Sequence, residues 1–172
     1  MRVFIDASVL FAASLSATGA SREIMRIAQE ERITLVANSL VLEEVVRNLS
    51  VKTERALEVL QSFRGDISIE LIEPTKEEIL EVLPFTALKD APHLAAAKKA
   101  GVHCLVSLDR RHMIEPRDII WEHLRLRILL PAELLQELRG FHQEKLPRHS
   151  RSNSCAVFIC VYLWRAFCLC RN

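Results

Sequence analysis

Four acidic residues stand at positions that flanking apolar segments fix, and together they could hold a cation. Asp6 follows the run VFI, Glu44 lies in LEEVVRNL, Asp90 precedes Ala-Pro, and Asp109 follows CLVSL. Carboxylates that share a pocket disfavour joint ionisation unless a cation neutralises them. Carboxylate oxygens suit a hard divalent cation, so the set predicts Mg²⁺ or Mn²⁺ as cofactor. Because the set has no cysteine or histidine, zinc is not predicted.

Each acid also has a purely structural explanation. An aspartate after a strand often caps the next helix, which applies to Asp6 and Asp109. Asp90 precedes Ala91-Pro92, where it can cap a helix that has proline just inside its start. Glu44 can be a solvated helix residue, although Glu43 beside it is the better candidate for the solvent-facing side.

Strand-like and helix-like segments alternate along the first 140 residues, which predicts an α/β fold with a mostly parallel central sheet covered by helices. The predicted strands are residues 2–5, 33–37, 67–72, 102–108 and 126–130. Four predicted helices are residues 9–16, 21–31, 53–63 and 131–138. A fifth is capped by Asn38 or Ser39, a sixth begins at Pro74-Thr75 with Glu78 in a capping box, and a seventh runs from Ala91 to Gly101. Gly65-Asp66 is expected to break the helix of residues 53–63. In parallel sheets ligands gather at the carboxyl ends of the strands, where Asp6 and Asp109 stand.

Composition excludes several classes of protein. The chain has 172 residues, of which half are apolar, enough for one domain with its own core. Its four glycines are scattered, whereas Walker and dinucleotide-binding motifs need them clustered. Residues 1–140 hold 18 Lys and Arg against 21 Asp and Glu, and residues 141–172 hold five against one. Residues 1–140 therefore do not form an extended basic surface for nucleic acid, and any contact with nucleic acid must be local.

The last 32 residues differ in composition from residues 1–140. This difference predicts a domain of residues 1–140, followed by a basic linker and apolar tail of residues 141–172. Four of the five cysteines lie in the last 18 residues, all within CAVFICVYLWRAFCLC. This segment has sixteen residues, apolar except for Arg165, and is too short to span a bilayer as a helix. The tail could pack on the domain or a second subunit, associate with a membrane surface, or bind a metal, and a non-native extension of the reading frame stays open. Neither a signal peptide nor a spread disulfide framework is visible, so the cytoplasm is the expected location.

Four segments in this order resemble the PIN-domain family of metal-dependent nucleases, which includes many bacterial toxins of toxin–antitoxin pairs. They are VFIDASVLFAA, LVLEEVVRNL, LKDAPHLAAAKKAG and CLVSLDRRHM, followed by RILLPAELLQEL, which is similar to the family's closing strand and helix. The resemblance covers roughly residues 1–140 and implies a PIN-like three-layer fold.

The resemblance also implies roles for individual residues. Those matching the family's acidic metal-binding positions, and hence its catalytic centre, are Asp6, Glu44, Asp90 and Asp109. Ser8 and Ser107 match hydroxyl positions that orient a carboxylate or hold water, with a helix or turn cap as the alternative. Lys89, Arg110 and Arg111 adjoin matched acids, and they are candidates for binding substrate phosphates or ordinary solvated residues. Some relatives carry a further acid or Asn after the last Asp, but Arg110-Arg111-His112 stand here, which puts a second metal ion in doubt.

The implied activity is hydrolysis of RNA phosphodiester bonds by a metal-dependent endoribonuclease. The implied partners are an RNA substrate, a small antitoxin protein that blocks the site, and a second copy bound through helices; a membrane is not among them. One alternative is a catalytically impaired PIN-fold module that binds RNA or a protein partner. Another is an aspartyl-phosphate phosphatase built on Asp6, which is disfavoured because Ser8 stands where such enzymes need a second Asp.

Overall fold

Five short strands form the centre of the molecule. The structure is a computed structural model that describes residues 1–52 and 54–144. The strands are β1 (Arg2–Ile5), β2 (Thr34–Ala37), β3 (Ile69–Leu71), β4 (Cys104–Val106) and β5 (Ile128–Leu129). The helices are α1 (Ala7–Leu15), α2 (Ala20–Gln29), α3 (Ser39–Ser50), α4 (Glu54–Asp66), α5 (Lys76–Val82), α6 (Ala91–Ala100), α7 (Arg117–Leu124) and α8 (Pro131–Glu144).

The strands form one sheet in the order β3-β2-β1-β4-β5, and every neighbouring pair is parallel. The predicted α/β fold with a parallel central sheet is thereby confirmed. The chain builds outward from β1 through β2 to β3, then crosses to the other side of β1 for β4 and β5. The direction of winding therefore reverses between β1 and β4. In open α/β sheets such a reversal leaves a crevice at the carboxyl ends of the strands.

The central strands are apolar throughout because the sheet is buried. Phe4 of β1 lies in register with Val36 of β2 on one side and with Leu105 of β4 on the other. All three side chains are fully buried. Parallel strands covered on both faces have continuous apolar sequences rather than alternating ones. The runs RVFI, TLVA and CLV follow that rule, which explains why they could be predicted as strands.

The helices pack against the sheet and each other in two groups. Helix α1 packs against α2, α3 and α4, while α6 packs against β2 and β4 with α5 beside it. Asn38 caps α3, since its side chain accepts a hydrogen bond from the backbone N–H of Val41. Thr75 and Glu78 form the predicted capping box of α5, and Gly101 ends α6 with a left-handed φ of 59°. These sequence-predicted helix ends are confirmed.

Several predicted boundaries are wrong. Gly65 does not break the fourth helix, which runs through it to Asp66, because one exposed glycine costs a helix only about 1 kcal/mol relative to alanine. The strands predicted at residues 67–72, 102–108 and 126–130 are each shorter, and α1 begins at Ala7 rather than residue 9. Helix α7 and a π-helical turn at Arg110–Ile114 were not predicted from the sequence.

Met1–Gly140 forms one compact unit. The predicted basic linker and apolar tail lie almost wholly outside the described residues, so the domain boundary at residue 140 and the role of the tail stay predictions. In the part of the chain that the structure describes, no helix has both the length and the apolar character that a bilayer span requires.

Candidate metal centre

Asp6 lies in the crevice between β1 and β4 and is held by two serines. It directly follows β1, is 7% exposed, and its backbone N–H donates to the carbonyl of Val106 at the end of β4. Ser8 Oγ donates to Asp6 Oδ2 over 2.5 Å, and Ser107 Oγ donates to the same oxygen over 2.7 Å. Hydrogen bonds to a carboxylate are stronger than neutral ones. The two serines therefore restrict the orientation of the Asp6 carboxylate.

The same serines also hold the segment that leads to Asp109. Ser8 Oγ accepts a hydrogen bond from the backbone N–H of Leu108, and Ser107 Oγ accepts one from the backbone N–H of Asp109, both over 3.0 Å. Each hydroxyl thus donates to Asp6 and accepts from the segment after β4. This arrangement sets the position of Asp109 relative to Asp6.

Asp90 directly precedes α6, but its side chain makes no capping hydrogen bond to that helix. Asp90 is 7% exposed, and its buried Oδ2 has no hydrogen-bond partner. The Lys89 ammonium is near but not in hydrogen-bonding range, with Nζ 3.9 Å from Asp90 Oδ2 and 3.8 Å from Asp109 Oδ2. The helix-cap explanation of Asp90 is therefore wrong for its side chain, which instead presents a buried oxygen that lacks a donor.

The two aspartates differ in how their surroundings act on their charge. Burial raises the pKa of Asp90, Lys89 lowers it, Asp109 raises it further, and the net direction is upward. Burial also raises the pKa of Asp109, but hydrogen bonds from the backbone and ring of His112, together with the Coulombic effect of His112 and Lys89, outweigh burial, and the net direction is downward. The ionised form of Asp90 is therefore disfavoured in the folded chain, and a cation beside it would relieve that cost.

Glu44 joins these acids from helix α3. It is half-buried, whereas Glu43 is exposed and lines a separate groove beside β3. Glu44 and Asn48, one helical turn apart, line the same cleft as the three aspartates. That cleft has a volume of about 280 Å³, and its lining residues are Asp6, Ala7, Ser8, Phe11, Glu44, Asn48, Lys89, Asp90 and Asp109. The structure thus brings all four predicted acids together at one site.

The basic residues predicted to bind phosphate are arranged unequally. Lys89 directs its ammonium group at two of the acids. Arg110 and Arg111 are exposed in the π-helical turn that follows Asp109. A phosphate-binding role for all three stays a prediction.

Two residues that support the site were not predicted to do so from the sequence. His112 was not counted with the acids, yet its Nδ1 lies 3.0 and 3.2 Å from the two oxygens of Asp109. Asn38 was considered only as a helix cap. It is also fully buried against α6, where its Nδ2 donates to the carbonyl of Pro92 and its Oδ1 lies 3.2 Å from Nδ1 of His93. The spacing Asp-x-x-His is the pattern that could have pointed to His112, since a capping Asp faces the third residue of the turn.

The donor set fits a divalent cation. Four carboxylates line one cleft, and the unpartnered oxygen of Asp90 is where a further positive partner is needed. Oxygen donors of this kind suit Mg²⁺ and Mn²⁺.

The parallel sheet and the acidic cleft at the winding reversal are the features by which the chain can be assigned to a protein family. A comparison of the sequence with family models identifies that family. A family model described as PIN domain matches residues 2–111, a range that includes all four acids. The chain belongs to the PIN-domain family. No curated protein matches the sequence.

Solved structures share the fold, and two of them are similar to this chain over most of its length. The chain is 20% identical to PAE2754 from Pyrobaculum aerophilum, with a TM-score of 0.54 over 81% of this chain and 99% of that one. It is 11% identical to a chain of VapBC2 from Rickettsia felis bound to a DNA fragment from their promoter, with a TM-score of 0.54 over 76% and 98% of the two chains. At these identities the likeness concerns the fold alone.

Proposed function

We propose that this PIN-domain protein is a metal-dependent endoribonuclease that hydrolyses RNA phosphodiester bonds. The observation that carries the proposal is the buried Asp90 Oδ2, which lacks a hydrogen-bond donor in a cleft lined by three more carboxylates. In this proposal Asp6, Glu44, Asp90 and Asp109 hold Mg²⁺ or Mn²⁺. Such an ion would acidify a water molecule and stabilise negative charge on phosphate oxygens.

The chain's own residues have separate tasks in this proposal. Ser8 and Ser107 fix the Asp6 carboxylate, so that it does not have to be ordered when the ion and substrate bind. Exposed Arg110 and Arg111 bind phosphate groups of the RNA, which positions the scissile bond without reading its bases. Lys89 neutralises the acids in the absence of a cation and is free to bind phosphate once a cation replaces it.

The test is RNA cleavage and metal binding by the full chain and three variants. We expect cleavage that depends on Mg²⁺ or Mn²⁺, and loss of both cleavage and calorimetric metal binding in Asp6→Asn and Asp109→Asn. Asp118→Asn, which changes an exposed acid on α7, is the matched control and should behave as the wild type. Circular dichroism of each variant excludes loss of the fold as the cause.

A second candidate function is an RNA- or partner-binding module with impaired catalysis. It is favoured by Arg110, Arg111 and His112, which stand where some relatives carry a further acid or Asn. In that case the wild type binds RNA, and adding Mg²⁺ or Mn²⁺ produces no cleavage that Asp6→Asn abolishes.

We further propose that the protein is the toxin of a toxin–antitoxin pair. Supporting this are the PIN-domain family and the shared fold with a chain of the Rickettsia felis VapBC2 structure. A small protein encoded next to this chain should co-purify with it and inhibit cleavage. Expression without that protein should arrest growth, and Asp6→Asn should relieve the arrest. Harmless expression of an active wild-type nuclease contradicts the toxin role.

The remaining expectations are a cytoplasmic location and a dimer formed through helices. Light scattering coupled to size-exclusion chromatography measures the mass of the assembly, and fractionation of the source cell tests the location.

A further inference from the structure

His112 is held against the acidic cleft by a cap. The Asp109 carboxylate accepts a hydrogen bond of 3.0 Å from the backbone N–H of His112, which caps the π-helical turn Arg110–Ile114. The same turn brings the imidazole ring back onto the carboxylate, with Nδ1 3.0 Å from Oδ2 and 3.2 Å from Oδ1. The backbone contact alone is enough for the cap. The position of the ring therefore calls for a separate explanation.

The ring belongs to a compact group of potential ligands. Asp90, Asp109 and His112 each offer one ligand atom, and these atoms lie within 4.8 Å of one another. An independent feature of Asp90 shows that the group lacks a partner: its Oδ2 is buried and receives no hydrogen bond. The Lys89 ammonium lies 3.9 and 3.8 Å from the two aspartates, so positive charge already collects there without satisfying that oxygen.

The hydrogen bonding of the ring is compatible with ligation. Nδ1 and Oδ2 of Asp109 are 3.0 Å apart, close enough for one cation to contact both. A histidine nitrogen must be deprotonated to bind a metal, so a proton on Nδ1 leaves when the cation takes its place beside Asp109. The ring is about 30% exposed, so a cation from solution has access to it.

Extending the function proposed above, we propose that His112 is a ligand of the cation and that its nitrogen makes the site bind Mn²⁺ more tightly than Mg²⁺. Mg²⁺ is a hard ion that takes oxygen ligands. Mn²⁺ also suits oxygen ligands and has the lowest affinity of the first-row transition ions, but it accepts an imidazole nitrogen more readily than Mg²⁺ does. Four carboxylates without a histidine would discriminate less between the two ions. His112 therefore determines metal specificity in addition to supporting Asp109.

The test measures binding of each metal alone to the full chain by calorimetry. We expect the wild type to bind Mn²⁺ about tenfold or more tightly than Mg²⁺, and His112→Gln to lose most of that preference, mainly through weaker Mn²⁺ binding. This substitution leaves the backbone cap unchanged. The matched control is His103→Gln, which removes an exposed histidine. His103 precedes β4 at its amino end, whereas Asp109 follows the carboxyl end of the same strand.

A spectroscopic measurement separates a ligand from a positioning residue. Pulsed electron paramagnetic resonance of bound Mn²⁺ should show coupling to a directly bound ¹⁴N in the wild type and in His103→Gln, and no such coupling in His112→Gln. The proposal is overturned if the wild type shows no ¹⁴N coupling, or if His112→Gln weakens Mg²⁺ and Mn²⁺ equally. Either result would make His112 a partner of Asp109 only.

Failure of this proposal is distinguishable from failure of the proposed function. If the wild type binds both ions and loses them in Asp90→Asn, but lacks ¹⁴N coupling, the metal centre stands and the role of His112 does not. If the wild type binds neither ion, both proposals fail.

Discussion

Ser107 Oγ donates a hydrogen bond of 2.7 Å to Asp6 Oδ2, although the two residues are 101 positions apart in the chain. Asp6 follows β1 and Ser107 follows β4, which are paired at the centre of the sheet. The hydrogen bond therefore closes the crevice at the winding reversal and holds the acid that lies in it. Ser107 also accepts from the backbone N–H of Asp109, so one hydroxyl links two of the four acids.

Ser107→Ala should lower both stability and metal affinity. A hydrogen bond to a charged group contributes about 1.5 to 3 kcal/mol, and the substitution leaves Asp6 and the Asp109 N–H short of partners. We expect the free energy of unfolding in urea to fall by about that amount, and metal affinity to fall about tenfold. Ser14→Ala is the control, since Ser14 is also buried but its hydroxyl donates to the carbonyl of Leu10 in its own helix. Equal losses in the two variants would contradict the role assigned to Ser107.

Lys89→Gln should strengthen metal binding. The Lys89 ammonium lies just under 4 Å from two carboxylates and competes with a cation for them. Because Lys89 is 62% exposed, water screens the interaction, which is worth about 1 kcal/mol at that distance. We expect the Mg²⁺ affinity measured by calorimetry to rise about fivefold, and the gain to shrink as salt is added.

The matched control for Lys89 is Lys98→Gln at the other end of α6, where the ammonium pairs with Glu81. That variant should bind Mg²⁺ as the wild type does. Weaker Mg²⁺ binding by Lys89→Gln would show that the lysine supports the site instead of competing for it.

Asp90→Asn should stabilise the metal-free protein while abolishing its response to metal. The pKa of Asp90 is higher in the folded chain than in the unfolded chain, where an aspartate has a pKa of about 3.9. Above that pH the ionisation of Asp90 therefore lowers the stability of the folded chain. In EDTA we expect the variant to be more stable than the wild type at pH 7, with the difference shrinking toward pH 4. Urea unfolding at several pH values measures it. A variant less stable than the wild type at pH 7 would contradict this assignment.

Added metal should reverse that order of stability. An ion that binds only the folded state stabilises it by about 2.7 kcal/mol when present at one hundred times its dissociation constant. Thermal unfolding of the wild type should shift upward with Mg²⁺ or Mn²⁺, and Asp90→Asn should not shift. Asp118→Asn should shift as the wild type does.

Asn38→Ala should destabilise the protein more than loss of an ordinary helix cap. Asn38 caps α3, the helix that carries Glu44. The Asn38 side chain also donates a hydrogen bond to Pro92 and lies beside His93, both on α6, the helix that follows Asp90. We expect a loss of about 2 to 4 kcal/mol, the sum of a cap and an unsatisfied buried partner. Thr75→Ala, which removes the exposed cap of α5, should cost about 1 kcal/mol. Chemical denaturation measures both.

The sequence was informative where the local pattern alone decides the outcome. The apolar runs that end in Asp6 and near Asp109 could be predicted as parallel strands, and their carboxyl ends had to share one edge of the sheet. The capping box of Thr75 and the stop at Gly101 depend on adjacent residues only. These features were predicted correctly for that reason.

Contacts between distant segments could not be predicted in the same way. The local sequence around Asp90 is compatible with a side chain that caps α6 and with one that turns into the cleft. Which of the two occurs depends on contacts with distant segments of the chain. Asn38 and His93 are 55 residues apart, and nothing in the local sequence pairs them. The contact between His112 and Asp109 was not predicted, because it depends on a π-helical turn that was not predicted either.

The order of strands in the sheet has a consequence for synthesis of the protein on the ribosome. Strand β1 is translated first, but β4, one of its two neighbours, follows about one hundred residues later. The edge of β1 that β4 covers must therefore wait until most of the domain has left the exit tunnel, and such long-range pairing is slow. A nascent chain contains Asp6 early but gains Asp109 only after almost two thirds of its 172 residues have been translated, so the four acids cannot come together before then.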